Sequence, residues 1–154
     1  MMKKTLFFLT VALLSVAALS AQPLNQSTPE ANLKSAKEAE ENGNPAEALR
    51  LYEKVFEDNK DKALNAKIAQ MNFELRDYEK AEKAFNRLVQ RDRKMEYVEL
   101  RYWLALSMKY NGKHVEAIDM FNQYIADGAD EALKAASKRE IAGSELARKM
   151  KQPE

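Results

Sequence analysis

The chain has 154 residues, with 25 Lys and Arg against 24 Asp and Glu, a formal net charge of +1, no Cys and a single His. So even a balance gives no electrostatic reason to bind nucleic acid or an anionic membrane. Without Cys no disulfide can staple the fold, and with His114 alone no Cys–His pair, His-rich metal site or HExxH motif can form.

Residues 1–21 read as a signal peptide. Lys3 and Lys4 supply a positive start, and Leu6 to Leu19 is apolar apart from Thr10 and Ser15. That run is shorter than the about 20 apolar residues of a membrane span. Small Ser20 and Ala21 lead into polar QPLNQSTPE, which places cleavage near Ala21 and makes residues 22–29 a linker. No Cys follows the apolar run, so a lipid anchor is not expected. Cleavage removes two lysines and no acids, leaving 23 basic and 24 acidic residues and a net charge of −1. The remaining length suits one domain.

Beyond the linker, apolar residues recur three and four apart, as at Ala48, Leu49, Tyr52, Val55 and Phe56, which puts them on one face of a helix. No stretch alternates strictly enough for a strand, so the fold class is all-α. Helices are expected near 30–42, 45–58, 62–75, 78–91, 95–111 and 114–127. A capping helix follows at 131–150, with a tail at 151–154. Its inner stripe is expected at Leu133, Ala136, Ile141, Leu146 and Met150, and Gly143 costs it about 1 kcal/mol relative to Ala.

Three segments repeat. Small residues at Ala36, Ala69 and Ala105 precede turn positions Gly43, Arg76 and Gly112. Then come Ala48, Ala81 and Ala117, and the aromatics Tyr52, Phe85 and Phe121. The offsets are 33 and 36 residues at each position. The alanines fit the closest approach of two antiparallel helices, where a larger side chain would force the axes apart. Each hairpin leaves a face that its neighbour buries.

IAQMNFELRDYEKAEKAF and LALSMKYNGKHVEAIDMF resemble tetratricopeptide repeats. The first copy, SAKEAEENGNPAEALRLY, departs from the pattern at Ser35, where a large apolar residue is usual, and at Pro45, where an aromatic is usual. Its leading helix is therefore open to fraying, and full packing of the first hairpin stays open at this point. The proline that usually closes each repeat is replaced by Lys60, Arg93 and Ala129. The resemblance implies a right-handed α-solenoid of three hairpins, about 30–61, 62–97 and 98–130, plus the capping helix.

The resemblance also implies a concave groove lined by the first helix of each pair, receiving a protein or peptide partner. The matching positions are Lys37 and Glu41, then Ala66, Gln70, Phe73 and Glu74, then Glu99, Tyr102, Leu106, Lys109 and Tyr110. Phe73 and Tyr102 are expected at its centre. The Lys and Asn clamp with which some members grip a C-terminal carboxylate is not matched, because Leu33 and Lys37 stand there. AGSELARKMKQPE is similar to the segment joining such repeats to a β-propeller in large Bacteroidetes envelope proteins. Those proteins end in an OmpA-like peptidoglycan-binding domain and include a component of the type IX secretion machinery. This resemblance implies a periplasmic or cell-envelope scaffold in a secretion-machinery or peptidoglycan-associated assembly.

Nothing in the sequence supplies catalysis, a cofactor or a metal site. EAEE at Glu38 to Glu41 and RDRK at Arg91 to Lys94 read as solvated surface, and His114 as packing at the start of a helix. No Gly-rich phosphate loop is present. Two alternatives to a scaffold remain at this point: a self-associating assembly subunit, and the targeting module of a larger envelope enzyme. Oligomeric state is open.

Overall fold

The computed structural model describes residues 28–128 and 130–150. The expected signal peptide, most of the 22–29 linker and the 151–154 tail lie outside the described residues. Among those described, the chain forms seven helices: α1 (Pro29–Glu41), α2 (Pro45–Asn59), α3 (Lys62–Glu74), α4 (Tyr78–Arg91), α5 (Glu99–Tyr110), α6 (His114–Asp127) and α7 (Glu131–Met150).

Local chemistry starts and stops them. Thr28, Asn44, Asp61 and Asp77 each precede a helix and accept a hydrogen bond from a backbone N–H three residues on, those of Ala31, Glu47, Leu64 and Lys80. Pro29 and Pro45 open α1 and α2, where a missing N–H costs nothing. The three hairpin turns share one geometry. The N–H groups of Asn44, Asp77 and Lys113 donate to the carbonyls of Ala39, Asn72 and Met108, each at 2.9 Å. Between them Gly43, Arg76 and Gly112 take φ of 71°, 64° and 77°. This left-handed step closes each first helix and turns the chain back.

Consecutive helices pack on one another, and α3 and α7 also reach α5. Ala36, Ala48, Ala69, Ala81, Ala105 and Ala117 are all fully buried, as close helix crossings require. Tyr52, Phe85 and Phe121 are buried with them, followed by Val55, Leu88 and Tyr124. The all-α solenoid of three hairpins and a capping helix is therefore the observed fold.

One open point is answered and two expectations need correction. The first hairpin does not fray: Thr28 caps α1, Leu33 packs against the first core cluster in place of a large residue at exposed Ser35, and Pro45 serves as a helix opener. α5 begins at Glu99 rather than 95, because the Asp92 carboxylate captures the N–H groups of Tyr97 (2.8 Å) and Glu96 (3.3 Å), while Met95 takes φ +54°. In α7, Leu133, Ala136 and Ile141 face inward, but Leu146 and Met150 are 60% and 78% exposed. The helical period instead carries Ser137 and Ser144 into full burial, and Ser137 Oγ donates to the Leu133 carbonyl at 2.8 Å.

Candidate functional site

On the face formed by first helices, a cleft of about 280 Å³ opens between α3 and α5. Ala63, Ala66, Lys67 and Gln70 form the α3 wall, and Glu99, Leu100 and Trp103 the α5 wall. Tyr97, from the turn before α5, stands at its edge, and Phe85 of α4 lies beneath. The repeat offset of 36 residues pairs Ala63 with Glu99 and Lys67 with Trp103, so equivalent helix positions face each other across the gap.

Aromatic packing holds Trp103. Its ring meets Phe73 edge-on at 5.5 Å, Tyr102 at 5.7 Å, and stacks on Phe85 at 6.5 Å. Tyr97 is held by its N–H bond to Asp92 and by the Lys62 ammonium, 4.1 Å from its ring centroid and 3.0 Å from the Asp92 carboxylate. Burial pushes the Asp92 carboxyl up. The Tyr97 N–H and the Lys62 ammonium outweigh that and hold it below the ordinary carboxylate range.

Lys67 is tied to the first hairpin. Its ammonium bonds the Glu40 carboxylate, which also accepts from the Tyr52 hydroxyl at 2.9 Å. The hydrogen bond from Lys67 is the main reason the Glu40 carboxyl lies below its usual range. Burial first, and Glu40 second, push the Tyr52 hydroxyl up to about 12. The cleft thus combines an aromatic and aliphatic lining with a neutralised cation, the Gln70 amide and the exposed carboxylate of Glu99. Such a surface can seat apolar side chains and orient a backbone; it offers no nucleophile and base in contact.

The expected groove residues divide. Gln70 and Glu99 line the cleft, and Gln70 Nε2 also donates to Glu74 at 3.1 Å. Phe73 is half-buried behind Trp103, with further ring contacts to Tyr78 and Tyr110. Lys37, Glu41 and Glu74 are exposed outside the cleft lining. Tyr110 is 54% exposed and Lys109 pairs with Glu140 of α7.

Tyr102 and Leu106, only 9% and 7% exposed, are corrected from groove to core. Tyr102 turns toward Phe121 and Tyr124 at 5.8 and 5.9 Å, in a cluster against which Leu133, Ala136 and Ile141 of α7 also pack. The capping helix fills the space in which a ligand was expected. Phe73 and Tyr102 therefore do not form the groove's centre.

Sequence reasoning missed Lys67, Tyr97 and Trp103. The signal for two of them was present, since Lys67 and Trp103 occupy one repeat position beside Ala66 and Tyr102. His114 lies half-buried at the start of α6, and its buried Nδ1 has no hydrogen-bond partner among the described residues. Among the described residues no group of three or more His, Cys, Asp or Glu is placed to hold a metal, and no helix is long and apolar enough to cross a membrane.

Solved structures share the architecture. MamA protein superposes with a TM-score of 0.61 at 20% identity, covering 79% of this chain and 64% of that one. Yeast Tom70 gives 0.61 at 16% identity, over 79% of this chain and 26% of its own. The nearly identical TPR-like repeats of a Podosopora anserina putative kinesin light chain give 0.60 at 19%, over 86% and 72%. This chain thus spans less than two thirds of the first two, and at such identities the likeness is one of fold. No curated protein matches by sequence. The tetratricopeptide repeat family model matches residues 33–96 and 73–132, and the chain belongs to that family.

Proposed function

We infer that the chain is an exported, non-enzymatic scaffold that docks a protein partner in the cell envelope through the cleft between α3 and α5. The observation that carries this reading is the cleft itself, an open apolar seat walled by Trp103 and Leu100 and edged by Gln70 and Glu99. Aromatic residues at the centre of an interface typically dominate affinity, with rim charges setting association rate. Export rests on Lys3, Lys4 and the Leu6 to Leu19 run, and an assembly linked to secretion or peptidoglycan on the similarity of AGSELARKMKQPE to envelope-protein junctions.

Photo-crosslinking from position 70 in living cells tests the docking role. A specific protein adduct that disappears in Trp103→Ala is expected; adducts unaffected by that change place the partner elsewhere. Export is tested separately, by N-terminal sequencing of protein recovered from the envelope. A start near Ala21 or Gln22 is expected, and an intact Met1 overturns it.

A further inference from the structure

The opposite face of the stack, built by second helices, carries a larger hollow. α2 and α4 do not pack on each other; each rests on α3. The gap between them is a groove of about 400 Å³. It runs into a second hollow of about 230 Å³, and Phe56, Lys60 and Asn65 line both. Phe56 and Leu88 give the second hollow an apolar floor. Neither space resembles the first-helix cleft in charge.

Lys80, Lys83, Arg87 and Arg91 recur every three or four residues and so share one edge of α4, which borders these hollows. Lys80 and Lys83 are already neutralised by Asp77 at 2.8 Å and Glu79 at 2.7 Å. Arg87, Arg91 and, across the gap, Lys60 have no carboxylate partner among the described residues. Lys60 instead holds its ammonium 5.1 Å from the Phe56 ring centroid. Three cations without a carboxylate in contact thus border an apolar floor. Glu53 and Glu57 line the α2 side of the larger groove, so its two walls differ in sign.

We propose that this groove is a second docking surface, for an acidic amphipathic helix of a protein partner. Its apolar stripe rests on Phe56 and Leu88, and its carboxylates pair with Lys60, Arg87 and Arg91. Along the larger groove the acidic flank faces α4, because Glu53 and Glu57 repel it from the α2 wall; only at the C-terminus of α2, where Lys60 stands, does that wall attract a carboxylate. A helix laid between α2 and α4 gains apolar burial while relieving three like charges. From Lys80 to Arg91 the basic edge runs roughly 17 Å at 1.5 Å per residue, about three turns of an occupant helix. Attraction of this kind weakens with salt.

The test uses the full chain and a fluorescein-labelled synthetic peptide of about three helical turns. The peptide carries Leu at i, i+3, i+4 and i+7 and Glu along one flank, and the control peptide has Lys in place of each Glu. Binding is read by anisotropy at low and high salt. The acidic peptide is expected to bind the wild type and to lose about tenfold or more in affinity against Arg87→Glu/Arg91→Glu, with Trp103→Ala without effect. The lysine peptide is expected to show the reverse preference. Circular dichroism confirms that the charge-reversed chain is folded, and Lys60→Glu serves as an independent second variant. Equal affinity for wild-type and charge-reversed chains overturns the proposal. So does loss of binding in Trp103→Ala, which assigns the peptide to the first-helix cleft. Sedimentation showing charge-dependent self-association in place of peptide binding makes the occupant a second copy and overturns it as well.

Discussion

The rings of Tyr78 and Tyr110 stack with centroids 4.7 Å apart and planes 15° from parallel, tying the start of α4 to the end of α5. The latch continues beside them. Asn111 Nδ2 donates to the Tyr78 carbonyl at 3.0 Å and to Glu82 at 2.7 Å, and Lys113 reaches the same carboxylate at 2.6 Å. A double-mutant cycle of Tyr78→Ala and Tyr110→Ala should return a coupling of about 0.5–1.5 kcal/mol in urea melts. Additive losses would reduce the stack to incidental surface contact.

Ala81 is fully buried at the crossing of α3 and α4, with its equivalents one repeat away on either side. Ala81→Leu should overpack the crossing and destabilise the chain by about 1–3 kcal/mol. An unchanged urea midpoint would remove the close crossing from the account.

Arg76 takes φ +64° where the sister turns place Gly43 and Gly112. A non-glycine residue there carries roughly 1–2 kcal/mol of strain, and glycine costs about 0.5–1 kcal/mol of unfolded-state entropy. Arg76→Gly should therefore stabilise the chain by about 0.5–1 kcal/mol net. A lowered melting temperature would contradict the shared turn geometry.

Tyr102 and Trp103 are neighbours with opposite expected roles. Tyr102→Ala should cost about 3–5 kcal/mol of stability, as for other buried aromatics. Trp103→Ala should cost less, because its half-buried ring faces the cleft, yet it should lose partner capture. Thermal melts beside the crosslinking yield separate the two; equal loss of stability would make Trp103 core.

Asp92 links stability to acid. Its folded carboxyl lies below the ordinary value of 3.8, so its contribution is fully present above that value and fades as pH falls through the lower folded one. Wild type should lose more stability than Asp92→Asn on acidification from about pH 5 to about pH 3. Parallel pH profiles would show that the carboxylate's contacts with Tyr97 and Lys62 are not coupled to folding.

Helix positions and hairpin turns were legible because each depends on residues within a turn or two. Gly43 and Gly112 turn the chain by their own freedom, whatever lies across from them. The buried alanines were legible too, since a spacing repeated at 33 and 36 residues requires the same crossing each time. Exposure was not. Gln70 and Leu106 hold one repeat position, as do Ala66 and Tyr102, yet Gln70 lines an open cleft while Leu106 and Tyr102 are enclosed. Only the tertiary structure decided this, because burial depends on what stands opposite, and α7 packs against α5 but not α3. The same cause misplaced the inner stripe of α7. Hydrophobicity pointed to Leu146 and Met150, whereas the face that meets α6 is set by the helix's 3.6-residue period and its direction of approach, which bury Ser137 and Ser144 instead.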